Sequence, residues 1–323
     1  MRTSFRGRAS AALLVALLAG TAAGQSFPSK PIHIVVPFAP GGGTDVLTRI
    51  VAQQLAEQLG QPVIVDNKPG AGGALGAALV VKAPADGYTL YVGSSATSMM
   101  PALYKNLGFD PIADFKPIAV IATSPFLLIM NPKLPAKTLP DLIAAAKANP
   151  GSISYGSAGN GSVNHVGMEL FKAMAGVSLL HVPYKGSSAA LADVLGGQVS
   201  MMMDTVVSAT QHVNSGGVRA LAVTSRKRTS LAPEIPTVAE QGVKDFDLTV
   251  WYGLVAPKGA PDSVVQKINA EVAKALASPA VRQRYAGLGA EPESVSVDEF
   301  KRLWFAEEKK WTSVITHAKI TVQ

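Results

Sequence analysis

Four stretches of this chain set small residues, most of them with hydroxyls among them, just before a helical pattern: residues 41–44, 70–73, 156–162 and 186–188. Glycine leaves the backbone bare, so N–H groups there can approach a ligand without intervening side chains. A helix beginning at the same point adds first-turn N–H groups that lack intrahelical acceptors, and the positive end of its dipole. This is chemistry for an anion, and for a carboxylate in particular, whose charge strengthens each hydrogen bond it accepts. The first stretch is the most explicit: Val35-Val36-Pro37-Phe38-Ala39-Pro40-Gly41-Gly42-Gly43-Thr44-Asp45. Alone, it reads equally well as a glycine-softened turn with Thr44 or Asp45 as N-cap. Four such junctions together favour a ligand site.

Other chemistry is weakly represented. The glycine runs match neither the dinucleotide fingerprint nor the phosphate loop ending in Gly-Lys-Ser/Thr, and there is no Gly-x-Ser-x-Gly elbow. No cofactor is therefore expected. The five histidines are scattered without metal-ligand spacing, so no metal site is expected either. His165, at a helix start, and His181, within a strand, read as hydrogen-bonded structural residues. A hydrolase using Ser157 or Ser162 with His165 is the alternative from another class, but no orienting acid accompanies the pair. Asp204 follows an apolar run and reads first as a helix cap, with contact to a ligand ammonium as the alternative. Trp251 stands beside Tyr252 and Gly253, where it could line a cleft or pack a hinge.

The elements that must position these groups alternate β-branched runs with amphipathic helices, an α/β pattern. Strands are expected at 32–38, 63–65, 88–92, 153–155, 179–182, 199–203, 218–224 and 249–256. Helices are expected after each glycine-rich junction, over 139–148 behind Thr138, through Leu276 with Asp262 as its cap, and behind a Ser296/Glu299 capping box. Residues 117–130 form an apolar stretch broken by Ser124-Pro125, more than one simple strand needs. The organisation expected is two α/β lobes joined by two crossover strands that act as a hinge, the second lobe inserted in the first. In numbers, 25–124 and 252–323 form lobe one and 125–251 lobe two. Ligand crevices in open α/β sheets lie at the carboxyl ends of strands, where the glycines sit.

The first residues give an address. Arg2, Arg6 and Arg8 precede a short apolar run and then Thr21-Ala22-Ala23-Gly24, the pattern of a secretory signal peptide over residues 1–24. Its removal takes three of the 29 basic residues and lowers the net charge from +7 to about +4. No lysine and arginine cluster large enough for nucleic acid occurs. No later stretch reaches about 18 apolar residues, so the mature chain is not expected to be membrane-inserted. Cysteine is absent, which excludes a lipidated N-terminal cysteine and any disulfide framework. The chain reads as a free periplasmic protein.

Motifs along the whole chain then carry a resemblance. Phe27-Pro28-Ser29-Lys30-Pro31-Ile32 leading into the triple glycine is one. Gly60-Gln61-Pro62-Val63-Ile64-Val65-Asp66-Asn67-Lys68-Pro69-Gly70-Ala71-Gly72-Gly73 and Ala85-Asp86-Gly87-Tyr88-Thr89-Leu90 follow. His181-Val182-Pro183-Tyr184-Lys185-Gly186, Gly196-Gly197-Gln198-Val199, Arg219-Ala220-Leu221-Ala222-Val223-Thr224 and Ile235-Pro236-Thr237-Val238-Ala239-Glu240 complete the set. In this order they resemble the substrate-binding proteins of tripartite tricarboxylate transporters, the Bug or TctC-type family.

The resemblance implies a two-lobed periplasmic receptor of the type II, Venus-flytrap kind, a monomer and not an enzyme. Such a receptor closes on a small organic anion (a di- or tricarboxylate, an aromatic acid or an acidic amino acid) and delivers it to membrane permease subunits. A receptor that signals through another partner is the alternative. For lobe one the resemblance implies contacts from Phe38, Pro40, Gly41, Gly42, Gly43, Thr44 and Asp45, from Ala71 and Gly72, and from Ser94, Ser95 and Thr97. For lobe two it implies Ser157, Asn160, Ser162 and His165, then Tyr184, Lys185, Gly186 and Ser187. Asp204 and Trp251 fall where ligand selection is expected. Met201-Met202-Met203 is richer in methionine than the family pattern, which either reshapes the pocket or fills the sheet core.

Overall fold

The computed structural model describes residues 27–229, 232–288 and 290–322; the expected signal peptide lies outside them. The chain opens with β1 (Ile32–Val36), whose β-branched residues are buried except at His33. Helix α1 (Gly43–Leu59) follows and buries Leu47, Ile50, Val51 and Leu55 along one face. Gly60 stops it with φ 65, a left-handed conformation that favours glycine. Next come β2 (Val63–Asn67), α2 (Ala74–Val81), β3 (Thr89–Ser94) and α3 (Ser95–Leu103). Helix α3 was not expected: Ser94 and Thr97, read as ligand contacts, form a capping box that starts it. Strands β1, β2 and β3 pair in parallel.

The apolar stretch at 117–130 is a single strand, β4 (Phe115–Met130), 16 residues long. It serves both halves of the fold. Its first part pairs with β9 (Thr249–Pro257), out to Pro125 opposite Thr249. From Phe126 onward it pairs with β7 (Met201–Thr205) and, from Leu127, with β8 (Arg219–Val223). The partner changes at Pro125, a residue that cannot donate to a ladder. Between these strands run α4 (Leu139–Ala148), β5 (Ser154–Ser157), α5 (Val163–Ala175), β6 (Leu180–Pro183), α6 (Ser187–Gly196) and α7 (Val206–Asn214). Helices α8 (Asp262–Ala277), α9 (Pro279–Leu288) and α10 (Val297–His317) close the chain. Asp262 is the first residue of α8 rather than its cap, which is Pro261.

The resulting sheet has the order β2-β1-β3-β9-β4-β7-β5-β6, with β8 paired to β4. Two lobes share it: one carries β1–β3, the other β5–β8, and the two long antiparallel strands β4 and β9 run between them. Each lobe has helices packed on its sheet, with Leu128, Met201 and Met203 in one large core and Leu127, Ile129 and Met202 in another. Among the described residues no helix is long and apolar enough to cross a membrane.

Candidate functional site

The carboxyl ends of β1, β5, β6 and β7 face one cleft between the lobes, and each leads into a helix there. The cleft holds a cavity of about 50 Å³, lined by Phe38, Gly42, Gly43, Thr44 and Ser94 from lobe one and by Ala158, Ser162, Val163, Asn164, Ser187, Asp204 and Thr205 from lobe two. A neighbouring space shares Phe38 and Ala158 and continues along Ala71, Gly72, Asn160, Tyr184 and Lys185. All four glycine-rich junctions therefore meet at one place.

Helices α1, α5, α6 and α7 all begin at this cleft, and none of them has a side-chain cap; their N-caps are Gly42, Ser162, Gly186 and Thr205. Side-chain caps occur at other helices: α4 and α10, whose starts do not line the cleft, carry complete capping boxes from Thr138 and Ser296, and α3 carries one from Ser94 on the cleft wall, while α8, away from the cleft, has no side-chain cap. The first intrahelical bonds are Val46 N–H to the Gly42 carbonyl and Val166 N–H to the Ser162 carbonyl, so the N–H groups of Gly43, Thr44, Val163 and Asn164 have no helical acceptor. An uncapped helix start leaves its donors for a ligand.

The lobes touch directly. The Ala39 N–H donates to the Lys185 carbonyl at 3.3 Å, the Ser188 hydroxyl donates to the Pro40 carbonyl at 3.0 Å, and the Tyr104 hydroxyl donates to the Asn160 carbonyl at 2.9 Å. The glycines make that approach possible. A Cβ on Gly42 would lie 2.7 Å from Ser187 Oγ, one on Gly43 2.6 Å from Thr205 Oγ1, and one on Gly186 2.8 Å from Ala39 Cβ. A Cβ on Gly72 would lie 2.5 Å from the Asn160 carbonyl oxygen, and its φ of 60 favours glycine independently.

Several residues read as ligand contacts instead hold this frame. Asp45 is buried and accepts from the Gly41 N–H, from Arg49 and from Asn67. Burial pushes its carboxyl up, but those three partners outweigh the effect and hold it below the usual range. Neither Asp45 nor Thr44 caps α1; Gly42 does. The Ser95 hydroxyl accepts from the Trp251 N–H, and the Thr97 hydroxyl accepts from the Ser94 N–H. Ser157 is fully buried, bonded to His181 Nε2 at 2.7 Å, and accepts from the Gly159 N–H. His165 stacks on His181 with ring centroids 4.3 Å apart, and its Nδ1 accepts from the Gly161 N–H. Ser157 thus pairs with His181 and not with His165, inside the lobe rather than on the cleft. The two imidazoles are depressed by burial; His181, facing His165 as well, falls to about 4.

Trp251 is the clearest correction. Successive residues of a strand point to opposite faces, so Val250 and Tyr252 line the cleft while Trp251 points away. It packs against Phe300 and Trp304 at centroid distances of 5.3 and 5.2 Å. Tyr252, Asn164, Thr205 and Phe126 line the cleft and were not anticipated. The β alternation around Trp251 would have found Tyr252, and the count from Ser162 into the helix would have found Asn164; nothing in the sequence pointed to Phe126.

Asp204 does not cap α7 either, since Thr205 holds that position. Its Oδ1 accepts from the adjoining Thr205 N–H, while its Oδ2 has no partner. Burial pushes this carboxyl up to about 7, against the lowering effect of Ser208 and the Thr205 N–H.

The chain also matches known proteins. A family described as "Tripartite tricarboxylate transporter family receptor" matches over residues 47–320. Protein BugT of Bordetella pertussis is 36% identical over 307 residues, covering 94% of each chain. A solved structure from R. palustris with adipate is 37% identical with a TM-score of 0.88, covering 92% of this chain and 100% of that one. A second, from Rhodopseudomonas palustris with bound malate, is 35% identical with a TM-score of 0.86, covering 90% and 100%.

Proposed function

The chain belongs to the tripartite tricarboxylate transporter receptor family, a family of periplasmic solute-binding proteins and not of enzymes, and from that premise we propose that it captures a small carboxylated solute by lobe closure and hands it to a membrane permease. One observation carries the reading. Four helices from both lobes start, uncapped by side chains, at a single cleft. Donors from one lobe alone would leave half of a buried carboxylate unmatched, at a cost of about 1–3 kcal/mol for each unpaired group. A solute that reaches both sets only when the lobes meet favours the closed arrangement, and closure needs no other drive. The adipate and malate of the two R. palustris neighbours fit the same class of ligand.

In this reading the carboxylate lies between the starts of α1 and α5, with Gly43, Thr44, Val163 and Asn164 as backbone donors and Phe38 and Phe126 closing the apolar sides. The lobe boundaries are 25–124 with 252–323, and 125–251, an assignment supported by the change of partner along β4 after Pro125. The protein acts as a periplasmic monomer after loss of residues 1–24.

A thermal-shift panel of mono- and dicarboxylates, aromatic acids, amino acids and neutral sugars tests it. At least one carboxylate is expected to raise the melting temperature, by several degrees at saturating concentration. A rise with neutral sugars and with no acid contradicts it.

A further inference from the structure

The cleft holds a buried carboxyl with one unpartnered oxygen. Asp204 ends β7, is 1% exposed and lines the cavity, and its Oδ2 has no hydrogen-bond partner. Among the described residues no lysine, arginine or histidine lines that cavity. Of the nearby hydroxyls, Ser208 bonds Thr205 Oγ1 and lowers the Asp204 carboxyl somewhat, but none closes a hydrogen bond on Oδ2. A buried carboxylate left in this state is costly, and a second carboxylate brought against it costs more.

Resting on the carboxylate reading above, we propose that Asp204 makes this receptor selective for carboxylates that also carry a hydrogen-bond donor, an ammonium above all, which the solute places against Oδ2. The solute is then a zwitterionic or amino-bearing acid. Its carboxylate takes the uncapped helix starts, and its ammonium takes Asp204 Oδ2, a buried acceptor that lacks a donor. The geometry asks for both ends: the helix starts supply only donors, and Asp204 supplies only an acceptor while ionised. Burial pushes the Asp204 carboxyl up, and an arriving ammonium reverses that cause by giving the ionised form a partner. A hydroxyl donor satisfies Oδ2 without the charge, so hydroxy acids rank between amino acids and plain acids.

Calorimetric titration of matched solutes that differ at one substituent tests this: succinate, malate and aspartate; glutarate and glutamate; phenylacetate and phenylglycine. For wild type, the amino member of at least one set is expected to bind about tenfold or more tighter than its unsubstituted counterpart, about 1.4 kcal/mol or more. Asp204→Asn keeps the shape and removes the charge, so it is expected to compress that preference below about threefold. The variant's melting curve without solute confirms that it folds. Equal affinity for substituted and unsubstituted acids in wild type overturns the inference and leaves the carboxylate reading standing. So does a preference that survives Asp204→Asn. Failure of every acid to bind either protein overturns both.

Discussion

At the scale of single residues, ionisable groups in the interior set opposite pH dependences. The Asp204 carboxyl is raised by burial to about 7, so the folded state holds a proton that the unfolded chain gives up. Its contribution to stability is present in full below the ordinary carboxylate range and is lost as pH rises through about 7. His181 is depressed by burial and by His165 to about 4, and His165 is depressed by burial too. Their contribution is present above the ordinary imidazole value and is lost as pH falls through the depressed one. The two effects overlap in mild acid, so a variant must separate them. Denaturant unfolding of Asp204→Asn and wild type from about pH 5 to about pH 8 is expected to show the variant gaining on wild type as pH rises. A difference that stays flat across that range contradicts the assignment. Trp251 belongs to the same scale. Because it packs against Phe300 and Trp304 rather than the cleft, Trp251→Ala is expected to cost about 3–5 kcal/mol of folding stability. Solute affinity, measured below the variant's melting transition, should stay within about threefold of wild type.

At the scale of elements, the glycines of the junctions matter for what passes close to them as well as for their own freedom. Gly186 has a φ of 169, ordinary extended backbone, so alanine fits its conformation. A Cβ there would nonetheless lie 2.8 Å from Ala39 Cβ and 3.1 Å from Ala39 N, atoms that no side-chain rotation can move. Only separation of the lobes relieves that contact. Gly186→Ala is therefore expected to fold within about 1 kcal/mol of wild type and to lose about tenfold or more in solute affinity. Unchanged affinity in a folded variant would show that these junctions need not meet. The junctions were legible before the fold was known, because glycine runs at strand ends are local signals; so were most strands and the capping boxes at Thr138 and Ser296. Helix α3 was not, since Ser94-Ser95 reads as one more glycine-and-serine loop until Thr97 closes the capping box. Ser157 as a ligand contact differs for a related reason: its hydroxyl looks free in sequence, and only the packing of β5 against β6 brings His181 to it. His165, read from the residues as a hydrogen-bonded structural residue, is one. Phe126 owes its place to the change of partners along β4, a long-range fact with no local trace.

At the scale of the molecule, two long strands carry the whole connection between sheets of opposite lobes, and the cleft lies where the lobes face each other. Across the cleft the lobes touch through hydrogen bonds and close glycine contacts, while one hydrophobic core runs through both. A buried solute that completes both donor sets shifts the balance toward closure. The central claim is that carboxylate capture and closure are one event. Small-angle X-ray scattering of the full mature chain, with and without the acid that gives the largest thermal shift, tests it most directly. The account predicts that the radius of gyration of wild type contracts on saturation, while Gly186→Ala at the same occupancy does not contract. A saturated wild type whose radius is unchanged from the solute-free protein would contradict it.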